Sequence, residues 1–169
     1  MRPADREIAQ TRDAAGDYTR KTAYEATRLS NRMKQEGHPA PLGDPTSGIV
    51  IVLEVPFGPR TIEALKLSLQ ALRLQRAYVT YESTGLLAQQ IQTTEPGVLV
   101  AIGAGAARDI DAIDYPLVRQ PFSEAEPGVW FPWTKGTKGL LTPALAPALE
   151  DDAAKRRFWL AFLTLRDLT

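Results

Sequence analysis

Pro96–Arg108 reads PGVLVAIGAGAAR. Val98–Ile102 is an unbroken apolar run bounded by Gly97 and Gly103. A run of that length suits a strand buried on both faces, as in a parallel sheet. The small residues after Gly103 predict a helix over 104–113. Working outward, Ile49–Val55 (IVIVLEV) is rich in β-branched residues and reads as a first strand, turned by Pro56-Phe57-Gly58-Pro59. Thr61 is placed to cap a helix with Ile62, Leu65, Leu69 and Leu72 on one face. Ala77–Tyr81 reads as a second strand, and Ser83 as the cap of a short helix through Leu87 and Ile91 that ends near Pro96. Residues 114–139 read as a long irregular segment, and Leu140-Leu141 as a short fourth strand. Asp151 or Asp152 can cap a last helix with Phe158, Phe162 and Leu165 facing inward. Strands separated by helices imply right-handed crossovers. The expected body is a three-layer α/β/α fold on a short, mostly parallel four-stranded sheet, over residues 48–169.

Residues 1–47 differ. Ile8, Ala15, Tyr18, Thr22, Ala26, Leu29 and Met33 form a narrow helical stripe on a polar segment. Residues 37–47 hold three prolines and two glycines, which stop a helix and read as a linker. The segment is expected to be a helical arm. Three readings of the segment stay open: packing on its own domain, docking of a partner through Tyr18, Leu29 and Met33, or disorder.

Composition narrows the chemistry. Among 169 residues there is no cysteine and one histidine, His38. Disulfides, thiolate metal sites and cysteine nucleophiles are therefore excluded, and a histidine-based metal site or triad has almost no material. No cofactor or metal is expected. Lys+Arg and Asp+Glu are both 20, so net charge is zero and a broad electrostatic nucleic-acid binder is disfavoured. No apolar run is long enough for a bilayer, and the first residues lack a signal-peptide pattern, so the expected location is cytoplasmic.

Four groups are candidate sites. Gly103-Ala104-Gly105 lies where a helix N-terminus could hold phosphate, but Arg108 stands where a dinucleotide fingerprint needs a small residue, which favours simple close packing. Glu54 lies near the end of the first strand, the edge where parallel α/β sheets place ligands. It could orient a water or stabilise a developing cation, or act as a turn carboxylate. Trp130 and Trp133, with Lys135 and Lys138, could stack bases, anchor a protein or seal the core. Lys155-Arg156-Arg157 could contact phosphates or pair with the preceding acids.

Three segments together resemble the uracil-DNA glycosylase superfamily. Ile49–Gly58 is similar to its first-strand motif, with Glu54 and Pro56 matching; Leu53 replaces a glycine and Phe57 intervenes before Gly58. Pro96–Arg108 resembles the third-strand segment of thermophilic-type members. Residues 140–168 resemble the terminal segment that carries a His-Pro loop and a tryptophan-bearing helix. Aligning Pro147 puts Ala146 where that family has its histidine, and the cluster cysteines of thermophilic-type members are absent. The resemblance thus implies the fold without the chemistry. A non-enzymatic group of the same kind, the psi subunits of bacterial DNA polymerase III, is similar in its closing segment: compare Thr142-Pro143-Ala144-Leu145 and Arg157–Trp159. The expectation from this resemblance is a catalytically inactive subunit of a replication or repair assembly, clamp-loader associated, with a protein partner and weak or indirect DNA contact. The alternative is a divergent active glycosylase in base-excision repair using Glu54.

Overall fold

The computed structural model describes the backbone of residues 3–168 and the side chains of residues 14–168. The fold is α/β. Five strands, β1 (Ile49–Leu53), β2 (Tyr78–Tyr81), β3 (Val98–Ile102), β4 (Phe131–Pro132) and β5 (Lys138–Thr142), form one sheet in the order β2-β1-β3-β5-β4. All neighbours are parallel except β4 and β5. The helices are α1 (Pro3–Gln35), α2 (Pro59–Ala71), α3 (Leu87–Thr94), α4 (Ala104–Ala112), α5 (Leu145–Ala148) and α6 (Asp152–Phe162).

Alternation along each strand sends side chains to two cores. On one face Ile51, Leu53, Val100, Ile102 and Leu140 meet Leu65 and Leu69 of α2 and Phe158 and Phe162 of α6. On the other, Val50, Val52, Leu99 and Ala101 meet Leu87 and Ile91 of α3 and Ala106, Ala107 and Ile110 of α4. Covering both faces is why β3 reads as a continuous apolar run, every residue of it buried.

The sheet has five strands rather than the expected four. The extra one, β4, is the far arm of a hairpin closed by the N–H groups of Trp133 and Thr134 on the Thr137 carbonyl. Phe131 lies over Gly139, where any Cβ would come within 2.4 Å of the ring. Other local expectations shift slightly. Helix α2 starts at Pro59 with Gly58 as its cap, and Thr61 is buried inside it. Ser83 lies in a turn before α3 rather than at its cap, and its buried hydroxyl has no partner among the described residues. Asp151 does cap α6, its Oδ2 accepting the Ala154 N–H at 2.9 Å.

The arm is docked on the body from Thr22 onward. Thr22, Ala26, Leu29 and Met33 are buried, and the last two belong to the α2–α6 face core. Gln90 is buried beside them: it accepts from Thr80 Oγ1 at 2.7 Å and donates to Met33 Sδ at 3.1 Å, tying β2, α3 and α1 together. Ile8 lies outside the described side chains. The linker is held too. Leu42 and Val79 exchange both backbone hydrogen bonds, 2.9 and 2.8 Å, and the Asp44 N–H donates to Arg76 O. Gly43, at φ +84, passes so near Ala77 that a Cβ would stand 2.0 Å from its carbonyl oxygen. Asp44 accepts from Thr46 N and Oγ1 at 2.8 and 2.6 Å and pairs with Arg76. Those donors, Thr46 first, pull its carboxyl down to about 2.

A buried methionine in a core contributes far more than an exposed tyrosine on the same helix. Met33→Ala should lower stability by about 2–4 kcal/mol, and Tyr24→Ala, at a position 68% exposed, by about 0.5 or less. Urea denaturation of the two variants checks this; equal, small effects would mean that α1 is not part of the folded core.

Candidate functional site

The four parallel strands deliver their C-terminal ends to one edge of the sheet. Glu54 follows β1, Glu82-Ser83-Thr84 follows β2, Gly103-Ala104-Gly105 follows β3, and Pro143-Ala144 follows β5. This is the edge at which open α/β sheets bind ligands.

Glu54 is half-buried there, and its carboxylate is already engaged. Oε2 accepts the Gly105 N–H at 2.7 Å, in the first turn of α4. Unpaired amides and the helix dipole make such a terminus a place for negative charge. Both glycines are needed for the approach. A Cβ on Gly103 would lie 2.2 Å from Glu54 Oε1, and one on Gly105 2.6 Å from Oε2. Gly103 also sits at φ +95, a conformation that side chains resist, while its N–H donates to Thr142 O at 2.9 Å and its carbonyl accepts from Ala107. The turn that superficially suits a phosphate thus holds the protein's own carboxylate, and the link runs from β1 through the turn to β5.

Asp109 lies one turn further along α4. Burial pushes its carboxyl above the usual range; Arg108 opposes this, and the negative charge of Glu54 adds to it. Asp111 acts as a brace that the sequence reading missed. Its two oxygens accept from Phe122 N at 2.8 Å and Ser123 N at 2.9 Å, fixing a 3-10 turn at Phe122–Glu124. An acid facing backbone amides eleven residues away leaves no local pattern in sequence.

The other expected site residues are dispersed. Trp133 is buried, with its ring against Tyr115 and Phe122, so it seals the core and has no face for a partner. Leu29 and Met33, expected as partner contacts, are core residues as well. Tyr18 remains exposed, and its hydroxyl donates to Glu95. Trp130 is half-buried, donating to Asp167 at 3.0 Å with the Lys138 ammonium 4.7 Å above its ring. Lys135 is exposed in the β4–β5 hairpin. Lys155, Arg156 and Arg157 are exposed in the first half of α6, whereas Trp130 meets the chain beyond its other end, at Asp167. Ala146, where the resemblance puts a histidine, is exposed in α5. His38 is half-buried just past α1, its backbone N–H donating to Met33 O. Among the described residues there is no group of three or more His, Asp or Glu arranged to hold a metal, and no helix long and apolar enough to cross a membrane.

No protein-family model matches the chain, and no curated protein matches it.

If Glu54 and the glycine turn fit as one unit, their substitutions should couple. Gly105→Ala alone should cost about 1–3 kcal/mol through overpacking. In a Glu54→Ala background, where the obstructing carboxylate is gone, it should cost at least about 0.5 kcal/mol less. A double-mutant cycle by urea denaturation checks this; additive costs would show that the two sites are independent.

Proposed function

We propose that the chain is a catalytically inactive, glycosylase-like subunit of a DNA replication or repair assembly, of the psi type associated with a clamp loader. In this reading the sheet with helices on both faces is the three-layer glycosylase-like scaffold, and a protein partner, not a base, is its ligand. One observation carries the reading: the carboxylate at the end of β1 is closed onto Gly105 at 2.7 Å, between two glycines that admit it. A base or nucleophilic water at this carboxylate would have to share it with a charge-assisted hydrogen bond that ties the sheet edge to α4. Ala146 offers no proton or hydrogen bond to a leaving base. The zero net charge of the chain supports a weak, indirect role for DNA contact.

Partner contact then falls to surfaces that the fold leaves open. The exposed aromatics of α1 are the best placed: Tyr24 on its solvent side, and Tyr18, in line with the buried stripe and bonded to Glu95. Aromatic side chains of this kind supply contact area at low entropic cost.

Incubation with uracil-containing single- and double-stranded DNA should leave no abasic sites. Turnover that vanishes in Glu54→Ala would overturn the reading in favour of an active glycosylase. Affinity purification of the full chain from its native cell, followed by mass spectrometry, should recover replication or repair proteins in stoichiometric amount. Their absence at native expression would reject the assembly role.

A further inference from the structure

We infer that the chain has a binding site for a monocarboxylate with a medium-length, unbranched apolar tail, between α2 and the linker-covered edge of β2. This is independent of the proposed assembly role. Two adjoining cavities, about 450 and 180 Å3, lie there. They lie side by side and share the wall residues Leu42, Ile62, Lys66 and Val79. The larger runs along Leu65 and Leu69 of α2; the smaller reaches Phe57 and Tyr81. Apolar concavities of a few hundred Å3 with a small number of polar groups are the usual form of a small-ligand site.

Charge and hydrogen bonding select the occupant. Lys66 is the one charged residue lining both spaces, and it makes no ion pair among the described residues. Glu63, one turn earlier on α2, does not pair with it. Lys66 is exposed on this apolar wall, and its ammonium complements a single negative group, with the tail running along α2. A peptide fits the site poorly. The edge of β2 is already occupied by Leu42 through its two backbone bonds to Val79, and the Tyr81 hydroxyl is used on Pro39 O. Gln70 and Gln75 are the main remaining polar side chains, so most amides of an inserted peptide would be left unpaired. An alkyl tail has no such groups. The groove between α2 and α6 differs: it is lined by charges of both signs, Lys155 and Arg156 with Asp152, so it offers no lone cation.

The probe is decanoate, titrated into the full-length protein and followed by isothermal calorimetry and amide NMR shifts. Decyltrimethylammonium, with the same tail and opposite charge, is the control. Expected is saturable binding of decanoate with shifts at Leu42, Lys66 and Val79, and at least tenfold weaker binding of the cation. Lys66→Gln, an exposed substitution, should weaken decanoate about tenfold, as for loss of one charge-assisted hydrogen bond. Ile62→Trp, which fills the shared wall, should abolish binding while circular dichroism stays unchanged. No saturation by millimolar decanoate, equal binding of the two surfactants, or an unaltered affinity in Lys66→Gln would each overturn the inference. Should Ile62→Trp fail to fold, Lys66→Gln and the control amphiphile still decide it.

Discussion

A carboxylate held in the mouth of a helix organises the C-terminal edge of the sheet. Glu54 leaves β1 at the edge where a parallel sheet presents its ligands, and its oxygen is taken up by the Gly105 amide. Half-buried negative charge must find donors, and the first turn of α4 supplies one together with its dipole. The same arrangement dictates two glycines: at Gly103 and Gly105 a side chain would run into the glutamate. The end of β1 is thereby tied to a turn and helix start that lie about fifty residues further along the chain. A glycine-rich turn after a strand suits a phosphate in isolation; here an internal anion fills that role.

A second constraint comes from the open edge of β2. Unpaired strand edges invite association with other chains. The linker closes part of this one through Leu42, with Gly43 allowing the close pass by Ala77 and Asp44 locked to Thr46 and Arg76. The incoming helix brings Leu29 and Met33 into the core on the way. From Ala14 to Gln35, α1 is therefore a helix that is wet on most of its surface, not one detached from the body. Its stripe is narrow because α1 meets the body along a single line.

Much of this was legible in the sequence, and the reasons for the remainder are specific. Val98–Ile102 and Ile49–Leu53 announced themselves by continuous burial, and Leu65, Leu69 and Leu72 by helical spacing, because one-dimensional period maps directly onto a face. Asp151 was recognisable because capping is local. Strand β4 was not: two residues, one of them Pro132, carry no period, and its partner Gly139 has no side chain to reveal the pairing. The link from Glu54 to Gly105 joins positions 51 residues apart, so the acid and the glycines were noticed separately and their union was not. Trp133 illustrates a further limit. An aromatic in an irregular loop reads the same whether it faces a partner or Phe122, and only the three-dimensional path of residues 114–139 decides.

The Glu54 carboxylate is committed to the α4 terminus. Hydrogen–deuterium exchange of the Gly105 amide, followed by NMR in the native protein and in Glu54→Ala, tests it most directly. The account predicts a protected Gly105 N–H in the native protein and marked acceleration of its exchange in the variant, with the core amides of β3 unchanged. Equal exchange rates at Gly105 in both proteins would show that the carboxylate is free, and would return Glu54 to the position of an available catalytic group.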